Sequence, residues 1–402
     1  MADREPDLVI SGGGVVGLAL AAALDGRGLR IAVIEAREPP PWDPARTDLR
    51  VSSITAASRR MLAALGVWES VAARRVSPFE AIHAWDAGGG AVHFHAADVG
   101  EAWLGHIVEN DLLQRMLYEH VTGGCNDVRL LCPAGIRSLD AGPDQVRVRL
   151  DDGRRLRSRL LVAADGARSV VREQVGIPVR RRDYGQQGLV ATVRTRVHHG
   201  RVARQRFLPG GPVALLPLAD GACSIVWSLP TEDARRLLAA ADGGFMAALS
   251  EATEEVLGPV VETGPRRAFP LQALHAERYI DERVALVGDA AHVIHPLAGQ
   301  GVNLGLLDAA ALAEVVQAAV ARGRDPGGRL VLRRYERWRR GDNLSMQVAM
   351  DGFHWLFSNR DPVRHGVRNL GFELTDRLPL LKRRFTEYAM GYRGDLPALA
   401  RK

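Results

Sequence analysis

Residues 7–35 read DLVISGGGVVGLALAAALDGRGLRIAVIE, and no other stretch restricts the fold as tightly. An apolar strand enters a glycine turn, an Ala/Leu helix follows, and a second apolar strand ends on an acid. The glycines at Gly12, Gly14 and Gly17 fit G-x-G-x-x-G, and Glu35 stands 18 residues beyond Gly17. That order is a β-α-β unit whose helix N-terminus is open to a phosphate: glycine permits close backbone approach, and the free N–H groups and dipole favour an anion. An acid at the end of the second strand suits ribose hydroxyls and repels a 2′-phosphate. The nucleotide expected here is NAD or the ADP half of FAD. The same run, Leu8 to Leu24, is apolar enough to resemble a signal peptide, but its flank (Asp3, Arg4, Glu5, Asp7) is mixed and acidic.

A second stretch, VALVGDAAHVIHPLAGQGVNLGLLD at 284–308, repeats the logic. A strand from Val284 stops at Gly288-Asp289. After His292, His295 and Pro296, the run Gly299-Gln300-Gly301-Val302-Asn303 opens a long Ala/Leu helix reaching about Val320. Asp289 repels a phosphate and suits a hydroxyl of a sugar or sugar alcohol, while the helix start favours negative charge. A third strand-to-turn sequence, LLVAADGARS at 160–169, places Asp165-Gly166 at a strand end. Arg50, ahead of VSSI, and Asn110, at the start of a helix over 111–120, are further candidates for the same site, with a surface residue and a plain helix cap as the bland readings.

Other classes are disfavoured. The net charge of +6 rests almost wholly on arginine, Lys occurring only at Lys382 and Lys402, and no basic tract carries interleaved aromatics, so nucleic acid is not an expected partner. Cys125, Cys132 and Cys223 form no CxxC, and His83, His93 and His95 lack metal spacing; neither a disulfide framework nor a metal site is expected. From about Pro178 to Pro270 the texture turns to strands with one helical insert over 231–257. A helix over 330–350 carries Arg333, Arg334, Arg337, Arg339 and Arg340, a face whose default is solvent. The tail over 353–390 keeps Trp355, Leu356, Phe357, Leu370, Phe372, Leu378, Leu380 and Leu381 at helical spacing, as core, oligomer contact or membrane-facing patch.

The three motifs, in this order, resemble the group A flavoprotein monooxygenases of the para-hydroxybenzoate hydroxylase type. LRVSSITAAS (49–58), LGHIVEN (104–110), CSIVWSL (223–229), RYERWRRGDN (334–343) and LKRRFTEYAMG (381–391) narrow the likeness to the UbiH/UbiF/VisC (UbiI) family, the ring hydroxylases of ubiquinone biosynthesis. The resemblance implies an α/β fold: a Rossmann-like FAD-binding domain in parts 1–77, 101–177 and 276–340, an interleaved antiparallel-sheet substrate domain in 78–100 and 178–275, and C-terminal helices in 341–402. It implies FAD held by Gly12, Gly14, Gly17, Glu35, Arg50, Asn110, Asp165, Gly166 and Asp289. Pro296 and Gly299, Gln300, Gly301, Val302 and Asn303 would lie along the flavin ring.

It further implies NAD(P)H as a transient reductant, O2 as co-substrate, and hydroxylation of a polyprenylated phenol through a C4a-hydroperoxyflavin, most like the UbiI/VisC type at ring carbon C5. A UbiF-type ring position, a small soluble phenol, and a silent flavin-binding scaffold are the alternatives. The setting implied is cytoplasmic and peripheral to the inner membrane, with complex partners or a homo-oligomer. His292 and His295 are the weak candidates for a catalytic base, and a structural role is the default for both.

Overall fold

The computed structural model describes residues 5–86, 88–295, 299–357, 378, 382–384, 386–387, 390–392 and 394–401. Its organising layer is a six-stranded sheet. Leu8–Ser11 lies near its middle, parallel to Ile31–Ile34 on one side and to Leu160–Ala163 on the other. Val128–Leu131 extends the sheet beyond Ile31–Ile34, and Val284–Leu286 extends it beyond Leu160–Ala163. Leu8–Ser11, Ile31–Ile34, Leu160–Ala163 and Val284–Leu286 are buried runs of Leu, Val, Ile and Ala or nearly so, as parallel strands covered on both faces must be, whereas Val128–Leu131, at the sheet edge, is only partly buried. Because neighbours of Leu8–Ser11 lie on both sides, its carboxyl end is a topological switch point, where α/β sheets bind ligands. The helix Val15–Leu24 starts there and packs against the helices Asn110–Gly124 and Gly301–Val320.

A second, eight-stranded sheet holds the expected interleaved segments. Ala81–Asp86 and Ala91–His95 join its edge, pairing through Val202–Phe207 with Val213–Pro217, Cys223–Pro230, Val179–Thr195 and Val260–Ala276. Alternation gives its two faces different fates. Leu189, Ala191, Leu215 and Ile225 pack under two helices, Thr231–Ala239 and Asp242–Ala252, where the sequence suggested one insert. The opposite face, with Val190, Ala214, Leu216 and Val226, turns towards the first sheet. A small sheet of Val51–Ile54, Gly105–Glu109 and Ser77–Phe79 lies beside the gap.

The arginine-rich helix is longer than expected, Arg329–Phe357, and its face is not all solvent. Arg339 is buried against Asp308, itself fully buried in the Gly301–Val320 helix. A guanidinium can be taken from water when paired and fully bonded, which composition alone does not reveal. Gly301–Val320 is long and apolar enough to cross a membrane, yet most of its surface is inside the fold, and it serves as a core helix. Pro296 and the tail side chains of Trp355, Leu356, Phe357, Leu370, Phe372, Leu380 and Leu381 lie outside the described residues. Leu378 is exposed, and Met390 is buried with Phe79 and Leu104.

Candidate active site

The three glycine-bearing motifs meet at one loop. Gly12, at φ +108°, lies on the Ala164-Asp165 backbone so closely that a Cβ would stand 2.3 Å from the Ala164 carbonyl oxygen. Gly17 faces Gly12 in the next turn, and a Cβ there would be 2.0 Å from the Gly12 carbonyl oxygen. Val16 then packs on Gly288 and Gly305, joining the late motif to the same helix. Gly14, by contrast, has no protein atom near its missing Cβ and lines the cavity. Two of the three fingerprint glycines therefore satisfy close packing, and Gly14 leaves space for a ligand.

That space is a cavity of about 720 Å3 between the two sheets, within the range of cofactor sites. Gly14, Arg50, Asn110, Gly166, Asp289 and Gly299 to Val302 are among the residues that line it. Glu35 ends its strand as expected, and its Oε2 accepts from the Gly13 N–H at 2.6 Å while Oε1 accepts from the Arg37 N–H at 3.0 Å. The carboxylate thus braces the glycine loop. Asn110 is the first helical residue, not the cap: its Oδ1 accepts from the Ser52 hydroxyl at 2.7 Å.

Asp165 accepts from the Val171 N–H at 3.2 Å in the first turn of the short helix Val170–Gln174, whose cap is Ser169, while its Oδ1 is buried without a partner among the described residues. Burial raises its pKa despite these donors. Asp289 lies between buried neighbours, Gly288 and Ala290, and its own side chain is exposed to the open cavity. Burial pushes its carboxyl above the ordinary range, against the pull of His292 and Arg50. A carboxylate so placed, with no protein hydrogen bond among the described residues, matches a ligand hydroxyl.

The start of the Gly301–Val320 helix is fixed by Asn303. Its Oδ1 accepts from the Thr55 N–H at 3.0 Å and its amide donates to the Ser53 carbonyl at 2.7 Å. Asn303 is therefore a clip between the helix and the strand Val51–Ile54, and the helix N-terminus faces the cavity through Gly299, Gln300, Gly301 and Val302. Glycine at 299 has φ +59° and passes 3.4 Å, measured from a virtual Cβ, from the Ser53 nitrogen.

Neither histidine is placed as a base. His292 is buried with Nε2 2.5 Å from Asp308 Oδ2, and His295 is buried edge-on to the Tyr184 ring at 4.7 Å.

Comparison with known proteins agrees with this geometry. The family model described as FAD binding domain matches residues 5–347. Ubiquinone hydroxylase UbiL of Rhodospirillum rubrum is 40% identical over 97% of this chain and 90% of its own length. The 3-demethoxyubiquinol 3-hydroxylase of Escherichia coli is 38% identical over 97% of this chain and 100% of its own length. The chain belongs to the family of FAD-binding monooxygenases. The crystal structure of p-nitrophenol 4-monooxygenase PnpA from Pseudomonas putida superposes with a TM-score of 0.80 at 20% identity, covering 98% of this chain and 99% of that one, and so shares the fold.

In this monooxygenase the structure adds residues the sequence did not single out. Gln114, four residues beyond Asn110 on one helix face, donates to the Gly13 carbonyl at 2.9 Å and lines the cavity. The i, i+4 spacing from Asn110 was the available signal. Asp308 accepts from the Gly288 N–H at 3.1 Å and so holds the turn that carries Asp289. Nothing local distinguishes it within an Ala/Leu helix.

Proposed function

We propose that this monooxygenase hydroxylates the aromatic ring of a polyprenylated phenol in ubiquinone biosynthesis, most like the UbiI/VisC type at ring carbon C5, with NAD(P)H as transient reductant and O2 as co-substrate. The observation that carries the reading is that one cavity is shared by two kinds of wall. One wall has Gly14 of the fingerprint, Asp289 and the helix start at Gly301. The other is largely apolar, with Phe79, Ile82, Phe94, Leu216, Val226 and Phe269 beside Arg204, Gln205 and Gln272. Such a wall suits a prenyl substituent better than a small, charged phenol.

The residues present fit FAD. Gly14 leaves open the approach to the N-terminus of Val15–Leu24, where a pyrophosphate is favoured. Glu35 would accept from the adenosine ribose, Arg50 and Asn110 would lie along the flavin and its phosphates, and Asp289 would take a ribityl hydroxyl. Bound FAD would supply the two-electron chemistry and the activation of oxygen, which belong to the cofactor. This chain's residues bind, orient and keep dry. The N–H groups at Gly301 and Val302 favour negative charge on the ring set against them. The apolar strands exclude water from the reacting side. The enzyme would meet its lipid-soluble substrate from the cytoplasmic side, as a peripheral protein or in a complex with other biosynthetic proteins.

Two measurements test the reading. Deletion of the gene in its host, with mass spectrometry of quinones, is expected to show loss of ubiquinone and accumulation of a prenylphenol lacking one hydroxyl; unchanged quinones would refute it. Asp289→Ala is expected to weaken FAD binding by about 1.5–3 kcal/mol, the worth of a hydrogen bond to a charged group. Flavin fluorescence titration of the apoprotein reads this directly, and an unchanged dissociation constant would remove the ribityl role from Asp289.

A further inference from the structure

The long helix Arg329–Phe357 turns one face to solvent from Leu330 to Val348. Leu330, Arg334, Arg337, Gly341, Leu344 and Val348 are all exposed. Their spacing is 4, 3, 4, 3 and 4, which draws a single stripe along a helix of 3.6 residues per turn. Leu330 is 80% exposed and Val348 63%, unusual for large aliphatics. Arg333 and Arg340 flank the stripe and are exposed as well. None of these four arginines makes an ion pair among the described residues, whereas Arg339, on the opposite face, is buried on Asp308.

The helix's own acids are engaged elsewhere. Glu336 accepts from the Tyr279 N–H, and Asp342 accepts from Arg339. Glu314 and Asp395 border a cleft with Arg334 and Arg337, but Glu314 accepts from the Ala398 N–H and Asp395 pairs with Arg401.

We infer that this stripe is a docking face for a bilayer bearing anionic headgroups. Aliphatics among arginines, with no acid on the stripe, are the pattern that seats a helix in the interface: the side chains enter the headgroup boundary while the guanidinium groups meet phosphate. A second copy of the chain fits poorly, because Arg334, Arg337 and their flanking arginines would face their own like charges. The helix is also tied to the strand Val179–Thr195 and to His295. Three residues past Val348, Asp351 accepts from the Tyr184 hydroxyl, and the Tyr184 ring holds His295 edge-on, immediately before the passage that leads to Gly299. The inference adds a surface to the proposed function, and its test does not pass through catalysis.

The experiment is co-sedimentation of the FAD-loaded protein with vesicles of phosphatidylcholine alone and of phosphatidylcholine with phosphatidylglycerol. Binding is expected only with the anionic vesicles and is expected to fall in high salt. Arg334→Glu/Arg337→Glu is expected to weaken binding at least about 25-fold, about fivefold for each arginine lost. Leu344→Asp should also weaken it, and Arg334→Lys/Arg337→Lys should retain it. Thermal unfolding and flavin content, expected to be unchanged in all three, report folding separately. Equal binding by the charge-reversed and parent proteins overturns the inference, as does equal binding to vesicles lacking phosphatidylglycerol. A change in oligomeric mass on charge reversal, without any vesicle binding by the parent, would overturn it in favour of a protein interface.

Discussion

Asp308→Ala is expected to destabilise the protein by about 3–5 kcal/mol, the cost of leaving a buried charge without its partner. Asp308 has no exposed surface and accepts from four groups: the Gly288 N–H, His292 Nε2, Arg339 Nε at 2.8 Å and the Asn343 amide at 3.0 Å. Removing it takes the fully buried partner from the Arg339 guanidinium, which is only 2% exposed and keeps the half-exposed Asp342 at 3.2 Å and Asn343 at 2.9 Å, and frees the turn that carries Asp289. Thermal unfolding of apoprotein and FAD-loaded protein should show the loss in both. A double variant, Asp308→Leu/Arg339→Met, should recover much of it, since two matched apolar groups leave no buried charge. If Asp308→Ala alone costs less than about 1 kcal/mol, the network is not holding the turn.

The pH dependence follows from the same carboxylate. Burial alone would raise the pKa of Asp308, but His292 and Arg339, with the bonds from His292 and Asn343, outweigh it and hold it at about 2, below the ordinary 3.8. A group depressed in the folded state contributes stability that is fully present above its unfolded pKa. That contribution is lost as pH falls from near 3.8 through about 2. Acid unfolding should therefore be steeper in the parent than in the double variant across that window. Identical acid profiles would assign the transition to other carboxylates.

The difference between Asp308 and Asp289 shows what the sequence makes legible. Asp289 follows a strand and a glycine, so local chemistry marks it, and it lines the cavity. Asp308 sits in LGLLDAA, inside an Ala/Leu helix, and its partner Arg339 is 31 residues away in an arginine-rich segment that looks like solvent-facing surface. Pairings of that range are set by how two helices pack, which periodicity does not encode. The Asn303–Thr55 clip, 248 residues apart, is the same case: Asn303 was legible as part of a glycine-rich helix start, its partner was not. The parallel strands were legible because burial on both faces gives unbroken apolar runs. The order in which they join, and the apolar face of the second sheet, required the fold.

The fingerprint glycines give the sharpest separation of cofactor binding from folding. Gly14→Ala and Gly17→Ala are the same chemical change three residues apart, with opposite surroundings. At Gly17 a Cβ would lie 2.0 Å from the Gly12 carbonyl oxygen, a backbone atom that cannot yield without moving the loop off Ala164. The gain of about 1 kcal/mol that alanine brings over glycine within a helix is too small to offset that contact. Gly17→Ala is expected to destabilise even the apoprotein by about 3 kcal/mol, the upper range for overpacking.

At Gly14 the backbone, φ −76° and ψ −179°, accepts alanine, and no protein atom lies within 4 Å of the new methyl group. Gly14→Ala should therefore leave apoprotein stability within about 1 kcal/mol of the parent, the residual cost of an alanine at a helix N-cap. Its effect should appear in FAD affinity, at least tenfold weaker, because the methyl group would stand at the helix start that lines the cavity, where we propose that the pyrophosphate binds. Apoprotein unfolding and flavin titration, run on both variants, read the two effects independently. If Gly14→Ala binds FAD as the parent does, the pyrophosphate does not approach this helix at Gly14, and the assignment of the nucleotide half of the cavity fails with it.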